Sequence, residues 1–534
     1  MIRSYSSLFW ILSILLALAR SASAATLTIT NTNDHGTRSL RDTISHAHDG
    51  DTIVFAPSLN GQTITLTSDQ LTINKNLDIE GPGASLLSIS GNDVNRVFNI
   101  NEGLTVTING LTITHGRAVG GNGAVHGVGS GAGILNAGSI LALANDVFSS
   151  NVSLGSSGNN PEGGAISNYH AGSLTVTDST FIGNRADARL KSGFFAEGGA
   201  IFSTRDGPNV TVIRCTFLGN QAFGGNGGVG TSSGSAFLGD AAGGALHVEG
   251  ASTLTVIDST FTGNQAIGGN GGSGGPATLP AIGTADGGAI VSHDGGTLVI
   301  SGSTFTDNQA VGGSNASSGS GNLGWVGAGI GGGLDSEGPA TITNCTFLGN
   351  QALGGSNNTG GGGLVLVGAG FGGGIDNEGI GFPAPMTVSN CTFSNNLAEG
   401  GASNTGGFLT GDGFGGGLAN YRGVTTAVTA STFTGNQAIV GQGLLGGAGA
   451  DGLGGGLANI LGSNLSVTTS VVSGNQAIGG AAGTGGSPGN GWGGGFYLSA
   501  DGVACWDLLT MTNTSGNTAS TADNDVFGTF TICP

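Results

Sequence analysis

The sequence predicts an all-β solenoid, a stack of similar coils, and three observations carry that prediction. The first is a repeated line: Gly243 to Ala266 reads GGALHVEGASTLTVIDSTFTGNQA, and close variants recur along most of the chain. The second is the period inside the line. Apolar and polar residues alternate as in strands with one buried face, and the parity breaks at Asp258 between Leu254/Val256 and Ser259/Phe261, as a bend between two strands would require. The third is composition. Glycine supplies 111 of 534 residues and charged residues only 8%, yet Val, Ile, Leu and Phe keep fixed places in the repeat, which disorder would not require. One such line cannot bury its apolar face alone, whereas stacked copies can.

Two rulers count the coils. A glycine motif begins at Gly131, Gly163, Gly198, Gly243, Gly287, Gly331, Gly372, Gly415, Gly454 and Gly493. A phenylalanine-to-asparagine motif runs Phe148/Asn151, Phe181/Asn184, Phe217/Asn220, Phe261/Asn264, Phe305/Asn308, Phe347/Asn350, Phe393/Asn396 and Phe433/Asn436. It then decays to Val472/Asn475 and Thr514/Asn517. The regular part is about 24 residues, and the glycine-rich segment between an asparagine and the next glycine pair varies in length. One coil per repeat, with a Gly-rich loop bulging at one corner, is the simplest architecture. Phenylalanines then stack inward as a ladder, asparagines bond their neighbours at a tight corner, and glycine pairs supply positive φ and close approach at another.

The flanks differ. Residues 1–24 read as a cleaved signal peptide: Arg3, an apolar core from Leu8 to Ala19, and Ala22-Ser23-Ala24 as the cleavage site. No later run is long and apolar enough for a transmembrane helix. Residues 25–120 form an N-terminal cap and first coils, in which Ser39 caps a short amphipathic helix with Leu40, Ile44 and Ala47 on one stripe, suited to closing the solenoid's open end. The repeats occupy 121–500, and 501–534 read as a C-terminal cap.

Without the leader the chain has 11 basic and 32 acidic residues, a balance of −21 that disfavours nucleic acid as a partner. Cys505 and Cys533 bracket the C-terminal segment and are candidate disulfide partners in an exported protein. Cys215, Cys345 and Cys391 stand where other repeats carry Ser179, Ser259, Ser303 and Ser431, which marks small inward positions.

The repeated GGAI/GGGL with F-x-x-N resembles the repeat of bacterial polymorphic outer-membrane proteins and related right-handed parallel β-helix surface proteins. The opening line NTNDHGTRSLRDTISHAHDGDTIVF, followed by LTINKNLDIEGPGASLLSISGN, is similar to the first coils of large exported bacterial β-helix proteins. The resemblance implies a right-handed parallel β-helix at the cell surface or outside the cell. That family carries a C-terminal membrane barrel; here repeats run almost to the end and no autotransporter barrel is seen.

Chemistry is scarcer in the line than structure. No catalytic constellation is expected, because no coil shows a cross-strand pair of acids beside a His or Arg. The Asn31-Thr32-Asn33-Asp34-His35 stretch lies in the cap without a partner motif, and His46 and His48 fall on different faces of a helix. Gly446 to Leu453 matches one copy of a calcium-binding glycine repeat, making Asp451 a weak calcium candidate and calcium the one cofactor considered. The residue before each glycine motif is Glu162, Glu197 and Asp286 early, then Ile330, Phe371, Phe414, Leu453 and Trp492. The second series is expected to form an apolar binding stripe for a protein or carbohydrate. The leading expectation is thus a secreted or surface-displayed β-helix acting as an adhesin-like or structural binding protein, not an enzyme. The alternative is a polysaccharide-degrading lyase or glycosidase on the same scaffold.

Overall fold

The computed structural model describes residues 24–119, 129–155, 159–203, 208–230, 235–275, 279–319, 323–361, 363–379, 381, 383–441, 449–483 and 486–533. Residues 1–24, expected to be a signal peptide, lie outside them apart from Ala24. The chain winds as a right-handed parallel β-helix, and its described strands form six parallel sheets of 15, 13, 13, 11, 8 and 5 strands.

In the opening repeat, Leu246–Glu249 belongs to a 13-stranded sheet, Thr253–Ile257 to the 15-stranded sheet, Thr260–Thr262 to the other 13-stranded sheet and Gln265–Ile267 to the 11-stranded one. The break in alternation at Asp258 is a corner, where that residue takes φ 49°. Gly243 and Gly244 form another corner with divided tasks. Gly243 has φ +63°, while a Cβ on Gly244 would lie 2.1 Å from the Gly288 carbonyl oxygen of the next coil.

The core is columnar because every coil advances by one strand spacing. Phe148, Phe181, Phe217, Phe261, Phe305, Phe347, Phe393 and Phe433 stack with ring centroids 4.4–4.9 Å apart. The asparagine column saturates its amides. Asn264 Nδ2 donates to Asn308 Oδ1 at 2.9 Å and to the Phe217 carbonyl at 3.1 Å. Its Oδ1 accepts from Asn220 N and Asn220 Nδ2, both at 3.0 Å. A fully buried amide at a corner is stable only because the next coil repeats it. Cys215, Cys345 and Cys391 are buried free thiols in the serine column.

Both ends are closed. Helix α1, Leu40–His46, buries Leu40 and Ile44 against the first coil, and the Ser39 hydroxyl accepts from Asp42 N. At the other end Val503–Trp506, Thr514–Ser515, Thr518–Ala519, Val526–Phe527 and Thr531–Ile532 continue the sheets, with a short helix α2, Leu508–Thr512, between them. Cys505 and Cys533 are joined as a disulfide with Cα atoms 4.9 Å apart. No described helix is long and apolar enough to cross a membrane.

The glycine-rich loops leave the coil at one corner, as expected, but they do not hang free. The variable segments carry two ladders of their own: five strands (Ser235–Leu238, Leu279–Ile282, Leu323–Val326, Leu364–Val367, Leu409–Thr410) and eight two-residue strands from Ala196–Glu197 to Gly491–Trp492. They stack for the same reason the coils do, since each loop finds its counterpart one rise away. They also fold over the outer face of the Leu246–Glu249 sheet, so Val291, Asp335, Asp376, Ala419 and Tyr421 are buried although they point away from the coil interior.

Replacing Asn264 by Ala removes the acceptor of two buried donors on Asn220. The expected loss is about 2–4 kcal/mol, read as a lower denaturant midpoint in urea unfolding, against little change for an exposed site such as Thr260→Ser.

Candidate active site

A cleft of about 530 Å³ lies between the outer face of the Leu246–Glu249 sheet and the glycine-rich layer above it. Its floor is one column of that sheet. Glu249 pairs with His293 in the next coil, Glu337 and Glu378 follow, and Glu378 pairs with Tyr421. The wall is the column before the glycine motif, contributing Glu197, Asp286 and Ile330. The roof comes from the five-stranded ladder, with Phe237, Ala281 and Trp325. Arg422, next to Tyr421, lays its guanidinium 4.1 Å from the Trp325 ring centroid and 5.1 Å from that of Tyr421.

His293 is the hub. Its Nε2 lies 3.9 Å from Asp286, 3.9 Å from Asp335 and 3.7 Å from Glu337. Behind the floor column, Asp335 and Asp376 are direct cross-strand neighbours, each at most 1% exposed. Neither oxygen of Asp376 nor Oδ1 of Asp335 has a hydrogen-bond partner among the described residues. The expectation that no coil offers paired acids beside a His or Arg is therefore overturned. The reason is periodicity: the acids lie one repeat apart in the chain, and stacking brings them to one strand spacing.

Burial dominates the electrostatics. It pushes Glu337 up to about 8, helped by the charge of Asp294 and opposed by a backbone hydrogen bond from Asp294 and by Arg422. It pushes Glu378 up to about 8, with Arg422 opposing. Asp286 rises to about 7, since burial is offset by the charge of His293. Asp335 and Asp376 are held well above the usual range by burial and by the surrounding carboxylates. The cluster thus holds protons well above the ordinary carboxylate range.

A second imidazole lies beside the cleft. His247 Nδ1 is 3.9 Å from Glu197 and His247 Nε2 is 4.0 Å from Glu249, and all three residues are buried. These three could hold a metal by type and proximity, one donor atom from each lying within 4.8 Å of the others. The two carboxylates, however, address opposite ring nitrogens, the geometry of an imidazole bridged between acids rather than of one nitrogen shared with both on a single ion.

Glu197 and Asp286 line the cleft, and Glu162 lies one coil away, accepting from the Tyr169 and Ser130 hydroxyls. The apolar series is correctly aligned as a column but is not an exposed stripe. Ile330, Phe371, Phe414 and Leu453 are at most 5% exposed, packed with Trp325, Tyr421 and Ile460 in a second core; Trp492 is half-buried against Phe527. They are covered because the loops above them form a sheet instead of hanging free. Asp451 Oδ1 accepts from Asn490 N at 2.6 Å, while Gly446, Gly447 and Ala448 of the calcium-like motif lie outside the described residues. In the cap, Asp34 is buried, yet hydrogen bonds from Ser68, Arg41 and Thr67 hold its carboxyl below the usual range. His46 and His48 are exposed and face separate carboxylates, Asp42 and Asp51.

Sequence reasoning missed Glu249, His293, Glu337, Glu378, Asp335, Asp376, Trp325 and Arg422. A signal existed for the floor. Aligned on their glycines, GGALHVE, GGAIVSH, GGGLDSE, GGGIDNE and GGGLANY carry the polar groups in the fifth and seventh columns. The roof residues lie in segments of variable length and leave no such column.

These features define a right-handed parallel β-helix protein with a roofed acidic cleft on one face. No protein family model and no curated protein matches the chain. Among solved structures it is similar to the catalytic unit of a thermostable alpha-1,3-glucanase from Streptomyces thermodiastaticus, at 12% identity over 91% of this chain and 68% of that one, TM-score 0.42. It is also similar to a mannuronic acid specific polysaccharide lyase from human gut microbiota, at 11% identity over 83% and 86%, TM-score 0.36. A third likeness is to the A-module of a mannuronan C-5 epimerase from Azotobacter vinelandii, at 12% identity over 83% and 96%, TM-score 0.30. At these identities the likeness is one of fold.

The protonated cluster has a cost that depends on pH. A carboxyl whose folded-state pKa is raised binds more protons folded than unfolded, so its stability contribution falls as pH rises from the ordinary carboxylate range towards the folded value, about 8 for Glu337 and Glu378. Urea midpoints should therefore drop between about pH 5 and pH 8. Asp376→Asn should flatten that decline and stabilise the protein by about 1–3 kcal/mol at the upper end. A flat profile in the unsubstituted protein, measured by circular dichroism, would contradict the assignment.

Proposed function

We propose that this protein is a glycoside hydrolase acting on a polysaccharide, with Glu337 as general acid and Asp286 as general base or nucleophile. The observation that carries the reading is the pair itself: two carboxyls lining one cleft, both within 4 Å of the His293 imidazole, with the Asp286 pKa near 7 and that of Glu337 near 8. Glycosidic bond cleavage needs one carboxyl that holds a proton for the leaving oxygen and another that has lost its own. The positive form of His293 favours ionised Asp286. Trp325 and Phe237 offer ring faces on which a sugar can stack.

Uronate lyase chemistry fits less well. A substrate carboxylate would meet seven acids in the lining, Glu197, Asp240, Glu249, Asp286, Asp294, Glu337 and Glu378, against Arg422 and His293. A binding or structural role without cleavage is the second reading, favoured by the length of unbroken solenoid in the 15-stranded sheet. Export belongs to the same proposal, supported by the leader-like residues 1–24 and by the disulfide.

The test is release of reducing ends from a panel of non-uronate polysaccharides. Glu337→Gln and Asp286→Asn should each lower kcat by about 10²–10⁴-fold, with KM changed far less. Full activity in Glu337→Gln, or no cleavage of any glycan by the unsubstituted protein, would rule the hydrolase out.

A further inference from the structure

We propose that the polymer accepted by this cleft is built from amino sugars with free ammonium groups, the chemistry of a glucosamine polymer. This rests on the hydrolase reading and narrows its substrate. The first argument is repetition. The floor presents Glu249, His293, Glu337 and Glu378 in four successive coils along one column. The coil rise of about 4.8 Å is close to the length of one sugar ring. A chain lying along the solenoid axis therefore meets an acidic group at nearly every unit.

The second argument is charge. The carboxyls lining the cleft outnumber its cationic side chains, and an ammonium group placed beside Glu337 and Glu378 would favour their ionised forms and pair with them, whereas a neutral glucan would leave them protonated. The third is that the cleft already holds one cation in this manner. The Arg422 guanidinium is stacked on Trp325, with Glu337 and Glu378 in its field. A fourth observation concerns unfilled bonding capacity. Glu378 is 2% exposed, and among the described residues neither its Oε2 nor the Trp325 indole N–H has a hydrogen bond of good geometry, the Tyr421 hydroxyl lying beside both. A ligand that donates strongly and also accepts satisfies both; an aminated sugar carries an ammonium for the first and ring or hydroxyl oxygens for the second. Acetylation of the amine would remove the charge and add bulk under the roof.

The experiment uses the full chain carrying Glu337→Gln, which suppresses turnover, in calorimetry with three oligomers of equal length: glucosamine, its fully N-acetylated form, and glucose. The expected result is at least about tenfold tighter binding of the glucosamine oligomer than of either other. Adding Glu249→Gln, outside the catalytic pair, should reduce that preference by about three- to tenfold, with unfolding curves confirming that the variant is folded. Equal or weaker binding of the glucosamine oligomer would overturn the proposal. The two readings fail separately. Cleavage of neutral glucans with no preference for free amines removes the amino-sugar inference and keeps the hydrolase. A clear preference for the glucosamine oligomer, with no bond cleaved by the unsubstituted protein, removes the hydrolase and keeps the recognition.

Discussion

The structure depends on one constraint: every residue of a coil lies one strand spacing from its counterpart in the next. A column therefore works only if its side chain tolerates a copy of itself at that distance. Phenylalanine does so by stacking, at centroid separations down to 4.4 Å. Asparagine does so because its amide is both donor and acceptor, so each member satisfies the next, as Asn264 does Asn308. Glycine at the Gly244 position does so by having no side chain where two backbones nearly touch. These columns can be long because each pairing lowers the free energy.

Carboxylates do not tolerate such stacking, and that is what makes the floor column unusual. Glu337 beside Glu378, and Asp335 beside Asp376, place like charges at strand spacing under a roof that keeps water out. The solenoid can hold them only by keeping protons on them, by setting His293 among them, and by drawing in Arg422 from the next coil. Such an arrangement adds nothing to folding. Its presence in a scaffold otherwise made of self-compatible columns is the strongest physical reason to place chemistry there.

The scaffold was largely legible in the sequence because stacking imposes a period, and a period survives in one dimension. Phe261, Asn264, the Gly243–Gly244 pair and the helix after Ser39 could each be assigned from position alone. The site was half legible. Glu197 and Asp286 stand out as a column before the glycines, whereas Glu249, His293, Glu337 and Glu378 form a column just after them that mixes residue types. The apolar series from Ile330 to Leu453 was read in the right register and on the wrong side of the surface. Alternation tells which residues point away from the coil interior; it does not tell that a second layer covers them.

The sequence by itself determined the coil, its corners, its inward ladders and the identity of each column, since all of these follow from local backbone geometry repeated at a fixed interval. The tertiary structure alone decided that the variable glycine-rich segments pair with one another as sheets and fold back over one face. Their lengths differ from repeat to repeat, so no period announces their pairing. That decision turned a surface row of acids into a roofed cleft: Trp325 and Phe237 above, Glu337 and Asp286 below, and His293 between the carboxyls. Water exclusion by that roof is what raises the carboxyl pKa values. It depends on contacts between segments whose spacing in the chain shifts from 44 to 41 to 43 residues along the ladder.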